Sequence, residues 1–332
     1  MNPSSTTNRP DAFTFAEIIQ LSLDFEALLR PKCSELEIRR GSPFETAALA
    51  AIQMIESFRD IRLHDRTRDY RHEWRQAIAL GDMLRKVMTA SNLPFFGQLW
   101  PHVLLLLGEG NIALNLWNPK EDSDADKIFE LYMALVLAPL CSDLVLDHPV
   151  RSAGGKNPDV IAQLDRLRWA FACKVMHSDS SKTFLDRVRD GVAQIKRSDA
   201  DCGVVVVSLK NQLPHDKYWG AFREKNSSEI KYLGPYDPEA VVGDILTICH
   251  KYHEEVISEL LGGPYAFNEL FNGTQAIPTV LLHLCTSIGV GGKGQAGFRF
   301  IRIFYSLNAD PLQPNIEATL NKLNESLHDR VR

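Results

Sequence analysis

Long apolar runs are missing from this chain. None approaches the roughly 20 residues that cross a bilayer, so no membrane partner is expected. Cysteine is sparse as well. The six (Cys33, Cys141, Cys173, Cys202, Cys249 and Cys285) are scattered, with no Cys-x-x-Cys pair and no tight Cys/His grouping. That argues against a disulfide framework or a zinc site and for reduced thiols in a cytoplasmic protein. The segment Asn2-Pro3-Ser4-Ser5-Thr6-Thr7 lacks the apolar core of a signal peptide, which also points to the cytoplasm. Excess basic charge is absent: the net charge of −5 weighs against a basic nucleic-acid coat protein and leaves a local basic site open. Gly-x-Ser-x-Gly and His-Glu-x-x-His are absent too, so hydrolases of those classes lack support. The glycine-rich run Gly289 to Gly297 is not a phosphate loop. Its Lys293 is followed by Gly294 rather than Ser or Thr, and it leads into a strand rather than a helix. A flexible hairpin loop, open to ordering by a partner or nucleic acid, fits better.

What is present describes a soluble globular protein, with 45% hydrophobic and 24% charged residues, long enough at 332 residues for two ordinary domains. Residues 1–10 read as a disordered polar tail. Residues 11–115 read as an all-helical domain, with helical apolar spacing in Phe13–Leu29, Ala47–Ile61 and Trp74–Met88. Ser42-Pro43-Phe44-Glu45 supplies a cap, a first-turn proline and an acid. Leu99–Leu107 suits helix or strand. This domain carries no recognisable chemistry and is expected to pack on the core, mediate assembly or help grip substrate. Residues 116–235 form the expected catalytic core, and 236–332 a C-terminal α/β extension packing on it. In the extension, Pro238–Leu261 reads as a long helix, and Ile277–Ile288 and Phe298–Leu307 as strands. His250 and His253, three apart on that helix, suit an exposed face better than a shared metal. Leu213–Pro238 reads as an irregular excursion carrying Trp219, Phe222, Tyr232 and Tyr236 among bases. Such aromatics either stack on nucleobases or anchor the loop to the core.

The core has the most information. A helix opens at Asp126-Lys127-Ile128-Phe129-Glu130, and a strand follows at Leu144-Val145-Leu146. Gly154-Gly155 then turns the chain into Pro158-Asp159, followed by strands at Val160-Ile161 and Leu167–Met176. Ser180 or Ser181 caps a helix from Lys182 to Arg197 that carries Gln194 near its end. Cys202–Leu209 is apolar at nearly every position, as a strand buried on both faces would be. On the 167–176 strand, Trp169, Phe171, Cys173 and Val175 share one face and look like core. Arg168, Ala170, Ala172 and Lys174 share the other, a small and basic face suited to a polyanion or to solvent. Asp159 and Lys174 thus sit on adjacent strands. A carboxylate that holds a divalent cation beside a lysine that steadies or deprotonates water is one way to hydrolyse a phosphodiester. Asp159 after Pro158 also suits a plain turn, Glu130 a surface acid, and Gln194 an ordinary helix end.

Pro158-Asp159, the Lys174 strand and the order helix, strand, strand, strand, helix, strand resemble the PD-(D/E)XK nuclease superfamily over roughly residues 120–210. The resemblance implies an α/β (α+β) fold, a restriction-endonuclease-like mixed sheet flanked by helices. It implies a Mg²⁺- or Mn²⁺-dependent nuclease acting on nucleic acid, DNA rather than RNA, in a setting such as defence against foreign DNA. A homo-oligomer, or an ATPase or helicase partner, is compatible with it. The family's first helix often supplies a Glu and the helix after the Lys often a Gln; Glu130 and Gln194 stand in those places. Asp159, Glu130 and Cys173 are the implied metal ligands. The acid due two residues before Lys174 is absent, because that position is Ala172. The adjacent Cys173 is a poor replacement, since thiolate suits softer metals. Three accounts of Ala172 stay open. The acid has moved, with Glu130 and Asp147 nearest in order; the chain is a natural inactive relative; or Ala172 is an introduced Glu-to-Ala change. Family members frequently read Glu-Cys-Lys here, which favours the third. The competing function is a catalytically silent nuclease-fold subunit serving assembly or nucleic-acid binding.

Overall fold

A computed structural model describes residues 12–31, 41–59, 67–108, 123–149, 157–219, 221–223, 228–232, 237–292 and 295–329. The N-terminal region opens with a two-residue strand, β1 (Ala12–Phe13), so the first helix begins later than its apolar spacing indicates. Thr14 caps that helix, α1 (Phe15–Leu29), its hydroxyl accepting from the Glu17 N–H at 3.2 Å. At α2 (Pro43–Arg59) the Ser42 hydroxyl accepts from the Glu45 N–H, with Pro43 at the first position, as the sequence signals. Next come α3 (Arg71–Ala90) and α4 (Phe96–Val103), which tightens into a 3₁₀ turn at Leu104–Leu107; the ambiguous stretch is helical.

From there the chain alternates. α5 (Ser123–Leu137) leads to β2 (Cys141–Leu146), β3 (Val160–Leu164) and β4 (Leu167–Val175). Asp165, at φ 52°, opens the tight turn between β3 and β4. α6 (Ser181–Lys196), capped by Ser180, carries the chain to β5 (Cys202–Ser208). The segment after β5 has two short 3₁₀ turns and a small hairpin of β6 (Ala221–Arg223) and β7 (Ile230–Tyr232). α7 (Pro238–Tyr252) widens into a π-helical stretch over His253–Leu260, followed by α8 (Pro264–Glu269). β8 (Ala276–Gly292) and β9 (Gln295–Asn308) form a long hairpin before α9 (Pro314–Leu327). Their pairing runs unbroken to Gly292 opposite Gln295. The glycine run is therefore ladder, not loop, except at 293–294, which lie outside the described residues. Glycine is permissive enough for extended backbone, and a 14-residue partner strand supplies the hydrogen bonds that its missing side chains do not.

The fold is mixed α/β. Seven strands pair in the order β1-β9-β8-β5-β4-β3-β2. β4, β5 and β8 are parallel at the centre, flanked by the antiparallel β2-β3-β4 meander on one side and the β8-β9 hairpin on the other. Helices cover both faces. Val204 and Val206 of β5 join Trp169 and Phe171 in a core with α1, α3, α5 and α9, while Val205 and Val207 join Ala170 and Ala172 in a second core with α6 and α7. This is the both-faces burial that an unbroken valine run requires. No described helix is long and apolar enough to cross a membrane.

One face assignment needs correction. Ala170 and Ala172 do not look toward a polyanion or solvent; both are wholly buried under α6. The fit depends on small residues on each side. A Cβ at Gly191 of α6 would stand 2.8 Å from Val205 Cγ1 and 3.3 Å from Ala172 Cβ. Trp219, in the excursion after β5, is also buried, packed on Trp74 at a ring separation of 4.9 Å. It anchors the loop. The side chains of Phe222 and Tyr232, and the whole of Tyr236, lie outside the described residues.

Candidate active site

The ladder of β3 continues one residue upstream of the strand, to Asp159. Its N–H donates to the Phe171 carbonyl at 3.1 Å, and its carbonyl accepts from the Asp147 N–H at 2.9 Å. The backbone is thus fixed on both sides, and the carboxylate turns across the strand pair. Its Oδ2 accepts the Cys173 N–H at 2.7 Å and lies 3.5 Å from Lys174 Nζ. Asp159 is no free turn residue.

Lys174 is the junction of the site. Its Nζ donates to Gln194 Oε1 at 2.6 Å and to the Cys173 carbonyl at 3.1 Å, with Asp159 on its third side. Gln194 is buried near the end of α6, whose register is set by the Ser180 hydroxyl accepting from the Thr183 N–H at 3.2 Å. Three residues expected from the sequence therefore meet in one contact set built from β3, β4 and α6.

Glu130 comes from the opposite side, on α5. Both of its oxygens accept from Lys127 Nζ at 2.8 Å, one turn earlier, and the Nε2 of buried His102 on α4 stands 3.6 Å away. It makes no hydrogen bond to Asp159 or Lys174, but the Lys174 charge acts on both acids and the Glu130 charge acts on Asp159. Burial pushes the Asp159 carboxyl up to about 6, against the pull of Lys174 and helped by the charge of Glu130. Burial likewise raises Glu130, with Lys127 opposing. Two buried, mutually repelling acids are a costly arrangement that functional sites tolerate and packing alone does not call for. Beside them, Asp126 on the first turn of α5 and His177 after β4 pair at 3.1 Å.

Ala172 is wholly buried under α6, on the face of β4 that also carries Lys174, and Cys173 sits beside Asp159. Burial drives its thiol well above the ordinary range, with Asp159 and Glu130 adding to the shift. What Cys173 contributes is main chain: an N–H to Asp159 and a carbonyl to Lys174. Asp147, the other acid near in order, meets Asp159 through its backbone. His102 and Lys127 are site residues that the sequence motif does not mark. Lys127 was legible, because a lysine three residues before a glutamate shares its helix face. His102, a lone histidine in an apolar stretch, gives no such sign.

Among the described residues, no group of three or more His, Cys, Asp or Glu is arranged to hold a metal ion. Asp159 and Glu130 are two buried hard oxygen donors, and the charge of Glu130 raises the proton affinity of Asp159. Carboxylate oxygens are the donor type that Mg²⁺ or Mn²⁺ takes. No family model, no curated protein and no solved structure matches this chain.

Proposed function

We propose that the buried side-chain cluster between β3, β4, α5 and α6 belongs to the phosphodiester site of a divalent-metal-dependent nuclease of PD-(D/E)XK type, acting on DNA rather than RNA, and that this chain is a disarmed Glu-to-Ala form at Ala172. Defence against foreign DNA is the setting this reading implies. The observation that carries it is the contact of Lys174 with both Gln194 and Asp159, since it reproduces the acid, lysine and glutamine of that motif in one place.

Each residue has a definable task. Asp159, fixed by two backbone hydrogen bonds and one from the Cys173 N–H, holds its carboxylate beside Lys174. Together with Glu130 it would hold the cation, which when bound polarises the phosphoryl oxygen and acidifies a water. Lys174 offsets charge that develops on the phosphate and orients the attacking water. Gln194 keeps the Lys174 head group from collapsing wholly onto Asp159. With one carboxylate short at Ala172, the set can bind and position a phosphodiester better than it can cut one.

A second reading is a nuclease-fold subunit that is silent by nature and serves assembly or nucleic-acid binding. It is favoured by the close mutual fit of Ala172 and Gly191 under α6. Both readings require the cluster to take a phosphodiester, which titration of the full chain with duplex DNA, single-stranded DNA and RNA in Mn²⁺ tests. Lys174→Met is expected to weaken DNA binding about tenfold, with DNA preferred to RNA in the unaltered protein. Binding unaffected by Lys174→Met and by Asp159→Asn would place any nucleic-acid surface elsewhere. The two readings part at position 172.

A further inference from the structure

The 14-residue strand β9 meets its outer neighbour, β1, at two positions, Ala12 opposite Arg299 and Phe13 opposite Phe298. Among the described residues no other strand lies on that side of the sheet. Over residues 300–308 the rim of β9 is thus an edge that a neighbouring strand approaches and stops short of, and edges of that length invite pairing. A cavity of about 400 Å³ lies against its first part. Residues 299–303 of β9 line it, with Pro238, Glu239 and Val242 at the start of α7 and His328 beyond α9. Five consecutive strand residues point to alternate faces and share only the rim, so the cavity sits at the rim.

The hydrogen-bond phase of that rim can be read across the sheet. The Leu209 N–H donates to the His283 carbonyl at 2.9 Å, so the backbone polar groups of His283 face β5. Phe304, opposite His283, then turns its own N–H and C=O away from β8, toward the outer edge. By alternation Phe300, Arg302 and Ser306 do the same, while Ile301, Ile303 and Tyr305 face β8. Carried upstream, the β1 register sets Asp11 opposite Phe300, Pro10 opposite Ile301, and so on to Ser4 opposite Leu307. Asp11, Arg9, Thr7 and Ser5 then stand where a donor is called for, and each has an N–H. Pro10 stands at a position whose nitrogen points to solvent, which is where an edge strand tolerates proline. Pro3 would fall opposite Asn308 at a bonding position, which ends the pairing where β9 itself ends.

We infer that residues 4–11 extend β1 along the outer edge of β9, so that this chain's own N-terminal segment covers the rim and its cavity. Residues 1–11 lie outside the described residues, and composition alone reads 1–10 as a polar tail. The β1 register and the phase of Pro10 carry the inference, which does not rest on the nuclease reading. Arg9 would face Arg302, whose charge Asp82 and Asp329 already offset.

The test is residue-resolved amide hydrogen exchange on the full-length protein at two concentrations. Thr7→Pro removes a donor aimed at β9, whereas Thr6→Pro removes one aimed at solvent. Thr7→Pro is expected to speed exchange of the Phe304 and Ser306 N–H at least tenfold, and Thr6→Pro to leave them as in the unaltered chain. Ile303 and Tyr305, which bond β8, stay protected throughout and show that the fold is intact. As a second readout, Thr6→Cys with Tyr305→Cys, opposite each other at a close non-hydrogen-bonded pair, should form a disulfide within one chain. Thr6→Cys with Phe304→Cys, on opposite faces, should not. Equal exchange in all three forms, equal loss with both prolines, or a disulfide that joins two chains would each overturn the inference. So would protection that rises with protein concentration and ignores Thr7→Pro, which would place a second copy on the edge.

Discussion

Asp159 and His283 pull the pH dependence of stability in opposite directions, and each acts through a single buried side chain. Asp159 has its carboxyl raised from the ordinary 3.8 to about 6 by burial, with Lys174 opposing. Between those values the folded protein binds more protons than the unfolded chain, so stability from this group is full at the acid end and is lost as pH rises to 6. Asp159→Asn is therefore expected to stabilise the metal-free protein at pH 7.5, by up to roughly 3 kcal/mol, and to have less effect at pH 4.5. Urea midpoints at the two pH values check this; a loss of stability at pH 7.5 would count against a strained acid. His283, wholly buried among Phe129, Tyr132 and Phe304, is pushed down to about 3 by burial, then by Arg302 and Lys86. Here the unfolded chain binds the extra proton, so stability is lost as pH falls below 6.5 toward 3. Neither of its ring nitrogens has a hydrogen-bond partner. Replacing it with leucine is expected to flatten the acid limb of a stability-versus-pH curve, and an unchanged limb would mean that another group controls it.

At the scale of elements, the close seat of α6 on the central strands makes its own prediction. Gly191→Ala adds helix propensity worth about 1 kcal/mol, but its Cβ would meet Val205 Cγ1 at 2.8 Å. Overpacking wins, and a net loss of roughly 1–2 kcal/mol is expected from denaturant midpoints. The same contact explains which parts of the structure were legible in the sequence. The meeting of Asp159, Lys174 and Gln194 was implied only by the family resemblance, whereas the helices of the core, its strands and the Ser180 cap follow from local period and capping chemistry. These are set by neighbours in the chain. Features that depend on a distant partner are not legible in the same way. Alternation puts Ala170 and Ala172 on one face of β4, but only α6 arriving with a glycine decides that the face is closed. β1 is two residues long and exists only because β9 is there to pair with it. The glycine run reads as loop until a strand partner is supplied. His102 enters the site from α4, through packing that no spacing rule reports.

For the whole molecule, a buried charge network crosses between layers. Arg302 of β9 bonds Asp82 of α3 and lies 3.5 Å from Asp329 beyond α9. Lys86 of α3 bonds Asp329 at 2.6 Å and the Leu327 carbonyl at 3.1 Å, and the Tyr132 hydroxyl of α5 bonds Asp82 at 3.0 Å. The apolar core that starts at Phe15 in α1 also reaches Leu327 in α9. Helical layer, sheet and C-terminal helix are thus expected to unfold in one transition by fluorescence and circular dichroism. Arg302→Leu removes the guanidinium partner of buried Asp82 and should cost roughly 3–5 kcal/mol. Two separated transitions in the unaltered protein would contradict this shared core. A rigid frame of this kind matters for the site, because α5, β3, β4 and α6 each bring one part of it.

Restoring the missing acid probes the proposed nuclease site at its weakest point. Ala172→Glu, checked for folding by circular dichroism because the position is buried, is incubated in Mn²⁺ or Mg²⁺ with plasmid, linear and single-stranded DNA and with RNA. Cleavage of DNA by the glutamate form is expected, with none by the unaltered chain, and its loss again when Lys174→Ala is added. A folded Ala172→Glu protein that cuts no substrate and binds no divalent metal would contradict a nuclease site in this cluster.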